Sequence, residues 1–145
     1  MTWDEMSPRE RDALVAEHIM GAVWTHEPKW PGGPADYLKL PDGAGGVLAE
    51  RRCSDGRTVY PAGLRHYTTD IAAACEVVEE MQGQWWWFSV ETFPSPYGMN
   101  DGNEVMATFK PTGMPGQAND DVRASAETAP LAICLAALRA RGVDV

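Results

Sequence analysis

From about Glu127 to Arg141 the chain is apolar nearly all round, through Leu131, Ile133, Cys134, Leu135 and Leu138. A helix of this kind has no face to give to water, so it has to be covered on more than one side by a sheet and a neighbouring helix. It is expected to be the most buried helix of the fold.

The rest of the chain supplies the other layers. Ser7-Pro8 is a helix start, with Ser7 placed to cap and Pro8 at the first helical position, where its missing N–H costs nothing. Leu14, Val15, His18, Ile19, Ala22 and Val23 then recur at helical spacing, which predicts a first helix running to about Val23. Pro28, Pro31, Gly32, Gly33 and Pro34 impose a loop. Tyr37 to Leu40 reads as a short strand, and Val47–Cys53 with Arg57–Tyr60 reads as a hairpin around Ser54-Asp55-Gly56, since Asp-Gly supplies the positive dihedrals of a tight turn. A second helix begins at Thr69 or Asp70 and stops at Gly83. Its expected buried stripe is Ile71, Ala74, Cys75, Val78 and Met81, with Glu76, Glu79 and Glu80 in water.

Trp85 to Thr92 alternates as a strand, with Trp86, Phe88 and Val90 on one face and Trp85, Trp87, Ser89 and Glu91 on the other. Its aromatic content predicts a central strand, and Trp85 and Trp87 need either a covering helix or a ligand, because an exposed tryptophan pair is an aggregation risk. Glu104 to Lys110 is its neighbour, with Val105, Ala107 and Phe109 inward. The connection Phe93–Asn103 is too long for a tight turn. These elements predict an α+β fold: a small antiparallel sheet of about four strands packed with three helices, in one domain over residues 1–145.

The chain of 145 residues is long enough to bury a sizeable core, and its 44% hydrophobic and 23% charged residues are those of an ordinary globule. No apolar run approaches the roughly 20 residues of a membrane span. The start, Met1-Thr2-Trp3-Asp4-Glu5, lacks a secretory pattern, so a cytoplasmic protein is expected. Cys53, Cys75 and Cys134 cannot all pair and are read as reduced. His18, His26 and His66 lie far apart in sequence and no CxxC or HxxxH occurs, so neither a metal site nor a cofactor is expected.

A net charge of −9 argues against polynucleotides, whose binding needs many phosphates neutralised at once. Yet between Glu50 and Tyr67 the chain carries Arg51, Arg52, Arg57, Arg65 and His66 against one acid, Asp55. Such an island suits one small anion, and it equally suits a solvated strand face. Two helix starts carry hydroxyls, Tyr67-Thr68-Thr69 and Ser125 with Thr128, and Arg65, His66 and Arg123 stand just upstream of them. Free N–H groups at helix starts attract anions, although Ser and Thr are also simply preferred caps. Trp24 and Trp30 flank the Pro/Gly loop, where their rings are suited to stack a base. The candidate ligand-binding set is therefore Trp24, Trp30, Arg52, Arg65, His66, Tyr67, Thr69, Arg123 and Thr128. No residue is assigned a catalytic role. The Gly-rich segments lack a phosphate-loop ending, no nucleophile elbow occurs, and His66 with Asp70 is the one base-and-orienter spacing.

Three segments, Ala13–Gly21, Tyr67–Glu79 and Ala126–Leu138, resemble the phage ABA sandwich domain family, and together they touch all three helices. The resemblance implies an α/β/α sandwich-like fold and a small phage accessory product. Some phage proteins of comparable size sequester nucleotide signals of host immunity. The expected function is accordingly to bind and sequester such a signal, an ADP-ribose conjugate or a cyclic nucleotide, counteracting anti-phage defence in the host bacterial cytoplasm. A homodimer or higher homo-oligomer suits that role. The alternatives are a protein-binding module docking on a host or phage protein and, third, a nucleotide-cleaving enzyme.

Overall fold

Helix α3 spans Ala129–Ala140, with Pro130 in its first turn, and buries Pro130, Ala132, Ile133, Cys134, Leu135, Ala136, Ala137 and Leu138. The computed structural model describes residues 2–30, 32–41, 58–61, 63–93, 104–117 and 119–145. Around α3 lie helices α1 (Pro8–His18) and α2 (Ile71–Gly83) and one of two three-stranded sheets. The fold is α+β, with three helices and two sheets among the described residues, consistent with an α/β/α sandwich.

The first sheet holds β1 (Val23–Glu27), β2 (Ala35–Lys39) and β3 (Thr58–Val59), in that order. β1 and β2 are antiparallel and β3 runs parallel to β2. Leu38, Ala35 and Val59 are its buried residues. The second sheet is antiparallel, ordered β4 (Trp86–Phe93), β5 (Glu104–Pro111) and β6 (Val122–Ala126). Its inward face carries Trp86, Val105, Ala107, Phe109 and Ala124, and α3 lies over β5 and β6 while α2 lies over β4 and against α3. Ala107 stands opposite Ala124 in the ladder. Their short side chains, with buried Ala132, Ala136 and Ala137 of α3, let the layers approach closely.

Several expectations need correction. The first helix ends at His18, because Gly21 takes φ +80° and turns the chain, and Val23 opens a strand in which it is 62% exposed. Val23–Glu27 and Val122–Ala126 are strands that the residue patterning does not assign, the first because the run is short and largely polar. In α2 the buried set is Ala73, Ala74, Val77, Val78 and Met81, while Ile71 and Cys75 are exposed. That rotation reflects an interface with both α3 and β4 rather than a single stripe. Of the expected 47–60 hairpin, the first arm, the Ser54-Asp55-Gly56 turn and Arg57 lie outside the described residues. The loop 94–103, Gly43–Gly46 and Cys53 do as well.

β4 is an edge strand among the described residues, not a central one, and no helix covers its outer side: Trp87 is 69% exposed. Trp85 precedes the strand in a left-handed conformation, φ +67°, which costs a bulky residue roughly 1–2 kcal/mol. The surroundings over-determine it. Gln117 Nε2 donates to the carbonyls of Trp85 (3.0 Å) and Gln84 (3.2 Å), and Thr112 Oγ1 donates to the Trp85 carbonyl at 2.6 Å. Gln117 Oε1 in turn accepts from the backbone N–H groups of Thr112 (3.0 Å) and Met114 (3.1 Å).

Leu138→Ala is expected to cost about 2–5 kcal/mol in denaturant unfolding, as for other emptied leucine sites. An unchanged midpoint would contradict the packing described for α3. Trp85→Asn, by contrast, places a residue that tolerates left-handed backbone and should leave the melting temperature equal or higher. A fall of several degrees would mean that the indole supports the fold.

Candidate functional site

Asp12 is the one charged side chain that is fully buried among the described residues. Its position follows from the start of α1. Ser7 Oγ accepts from the Glu10 N–H at 3.3 Å while the Glu10 carboxylate accepts from the Ser7 N–H at 2.6 Å, a reciprocal cap that fixes the first turn. Arg9 and Asp12, three residues apart, then share a helix face. Arg9 Nη1 lies 3.1 Å from Asp12 Oδ2, and Asp12 Oδ1 accepts from the Thr68 N–H (2.9 Å) and Thr68 Oγ1 (2.8 Å).

The same guanidinium reaches the segment that leads into α2. Arg9 donates to the carbonyls of Leu64 (3.1 Å) and Arg65 (3.4 Å), and His66 Nδ1 stands 3.4 Å from Arg9 Nη1 and 3.9 Å from Asp12 Oδ2. From the other side Cys134 Sγ of α3 donates to the Tyr67 carbonyl at 3.2 Å. Burial pushes the Cys134 thiol well above its usual pKa, and the Asp12 charge adds in the same direction, so this sulfur is a structural donor rather than a nucleophile. Asp70 finishes the segment by capping α2, its Oδ1 accepting from the Ala72 N–H at 3.0 Å.

Pinned between α1 and α3, residues 63–67 form one wall of a cavity of about 520 Å³ lined by Met20, Leu40, Pro41, Gly63, Arg65, Tyr67 and Glu76. Its volume falls within the roughly 300–1,000 Å³ of small-molecule sites. Met20, Leu40 and Pro41 give it an apolar side. Arg65 and Glu76 form an ion pair, both partly exposed, and Tyr67 is buried. The chemistry on offer is recognition: an aromatic and apolar wall for a flat group and a guanidinium for an anion. Among the described residues no group of three or more His, Cys, Asp and Glu is placed to hold a metal ion.

Of the residues expected at a site, Arg65 and Tyr67 line this cavity, with His66 beside them but turned to α1. Thr69 is exposed, its N–H bonded to the His66 carbonyl. The remainder lie elsewhere. Trp24 donates its indole N–H to Glu17 Oε2 at 3.0 Å, meets Tyr60 edge-on at 6.2 Å and borders a smaller cleft of about 200 Å³ with Met6, Ala13 and Leu14. Trp30 packs against Tyr37 at 6.2 Å. Arg123 is exposed on β6, 3.7 Å from Asp121, and Thr128 is an exposed N-cap whose hydroxyl makes no capping bond.

The two helix starts therefore do not meet at the Arg65 cavity. Arg52, with Arg51 and Arg57 of the same island, lies outside the described residues. His66 and Asp70 do not form a base and its orienter, since one faces Arg9 and the other caps α2. Sequence reasoning missed Arg9, Asp12, Met20, Leu40 and Glu76. The available signal was Asp12 itself, an acid amid Ala13, Val15 and Ala16 on a helix that has to be buried.

No curated protein and no solved structure matches the chain. The model of the phage ABA sandwich domain family matches residues 13–138, which takes in part of α1, all of α2, most of α3, both sheets and every lining residue of the Arg65 cavity. With that match over most of its length, and with helices packed on sheets as observed, the chain belongs to the phage ABA sandwich domain family.

Proposed function

We propose that this protein is a phage accessory protein that binds a small nucleotide-type signal of the host, an ADP-ribose conjugate or a cyclic nucleotide, in the Arg65 cavity. It withholds the signal from anti-phage defence in the bacterial cytoplasm without chemically altering it. The observation that carries this reading is the cavity itself: ligand-sized, apolar on one side, with Arg65 at its polar side in a partly exposed ion pair with Glu76. A phosphate oxygen competes well for a guanidinium, because charge-assisted bidentate contacts are about twice as strong as neutral ones. Met20, Leu40 and Pro41 offer the base or ribose a dry surface.

A second reading, docking on a host or phage protein, is favoured by a different observation. Trp85 is held in a strained conformation, 63% exposed, beside a cleft of about 420 Å³ that Met114, Pro115 and Arg141 also line. Tryptophan and arginine next to a cleft are the residue types that anchor protein interfaces.

Calorimetry with ADP-ribose and with cyclic dinucleotides tests the first reading. Arg65→Ala is expected to weaken binding by about tenfold or more, the loss of one hydrogen bond to a charged group. Glu76→Gln should tighten it, since the carboxylate that competes for Arg65 is gone. Ligand released by heat is expected to be chemically intact. Absence of binding by the parent protein, or an Arg65→Ala variant that binds like the parent, would overturn the reading.

A further inference from the structure

We propose that β4 is a dimerisation edge, pairing antiparallel with β4 of a second copy of this chain across a twofold axis at Val90. Three observations lead there. β4 pairs with β5 through eight consecutive residues, Trp86 to Phe93, with no bulge in the ladder, and its other side has no partner strand among the described residues. A long regular edge leaves a row of N–H and C=O groups whose natural complement is another extended strand. Lysine and proline, which normally blunt such an edge, are missing from Trp86-Trp87-Phe88-Ser89-Val90-Glu91-Thr92-Phe93, whose one charge is Glu91. The opposite edge, β6, is shorter and carries Arg123.

The third observation concerns both faces at once. Val90 points to the helix-covered side, in the row of Trp86 and Phe88, and still is 44% exposed, while Trp87 on the outer side is 69% exposed. An inward-facing valine left half in water marks a core that stops short at this edge. A neighbouring strand would cover Val90 and flank Trp87 together. A ligand seated on one face would cover one of them.

The occupant follows from the symmetry of the strand. About a twofold axis normal to the sheet, each residue faces one of the same side-chain direction, so residue numbers across the pair must differ by an even count. With Val90 on the axis, Val90 meets Val90, Phe88 meets Thr92, and Ser89 meets Glu91, which gives an apolar pair at the centre and a hydroxyl for the carboxylate. The next permitted register, with Ser89 on the axis, sets the Glu91 carboxylate against Trp87. The Val90 register is thus the one the side chains favour. The β4–β5–β6 sheets of the two copies become one sheet of six strands. The inference is independent of the proposed ligand.

The test is oligomeric state in solution, measured by light scattering on the eluting full chain at micromolar concentration. The parent is expected at the mass of two chains and Val90→Lys at the mass of one, with an unchanged far-UV circular dichroism spectrum because the position is half exposed in the single chain. Independently, Val90→Cys in a background with Cys53→Ser and Cys75→Ser should form an intermolecular disulfide under mild oxidation, since residues on the axis are the only ones that meet their own copy. Thr92→Cys in the same background should cross-link far less. A parent that elutes as a monomer, a Val90→Lys dimer, or cross-linking at Thr92 equal to that at Val90 would overturn the proposal.

Discussion

The buried carboxylate of Asp12 is the constraint on which the candidate site depends. Removing a carboxylate from water costs several kcal/mol unless its lone pairs are occupied. Here they are: Thr68 supplies its N–H and hydroxyl, and Arg9 supplies a guanidinium N–H. A charge satisfied this completely has few alternative arrangements, so the chain at Thr68 is held to one place on α1. Arg9 extends the hold to the Leu64 and Arg65 carbonyls, and Cys134 adds a contact from α3 at Tyr67. A segment with no regular structure acquires the position of a core element.

Function, in this view, sits where that segment leaves the core. The carbonyls of Leu64, Arg65 and Tyr67 face the helices and are used up in holding the backbone, while the side chains of Arg65 and Tyr67 line the cavity with Met20 and Leu40. Preorganising the arginine this way lowers the entropy lost when an anion is bound. Glu76 orients the guanidinium through its ion pair, and in the proposed function it is the group an anionic ligand displaces. The Trp85 turn is built on the same logic from other parts, with the Gln117 amide locking a backbone that would otherwise relax. The uncovered β4 edge offers a third kind of surface, one that recognises only another strand.

Much of the scaffold was legible in the residues, because apolar periodicity and caps act locally. The Ser7-Pro8 start, the start of α2 at Thr69 or Asp70, Gly83 as its end and the inward row Val105, Ala107 and Phe109 all follow from short-range rules, and each is where those rules put it. The exception at Gly21 is also local: a left-handed glycine ended a helix that periodicity alone would have continued. The site was harder to read. Arg9 and Asp12 lie more than fifty residues from Thr68, and nothing in either segment reports the other. Arg65 and Tyr67 were found through their chemistry. Glu76 was assigned to water because its helix periodicity says so, whereas its role comes from Arg65 reaching across. Trp24 and Arg123 were grouped with them by residue type, and topology sends them to a different cleft and to an open strand.

The most direct test of this account is a double-mutant cycle on Asp12→Ala and Thr68→Val, followed by denaturant unfolding. If the carboxylate holds Thr68 as described, each single change should destabilise the protein, and the pair should cost less than the separate losses added together. A coupling of about 1 kcal/mol or more is the value predicted for groups sharing a buried hydrogen-bond network. Strictly additive losses would contradict it, because they would mean that the segment carrying Arg65 and Tyr67 is held in place by something other than Asp12.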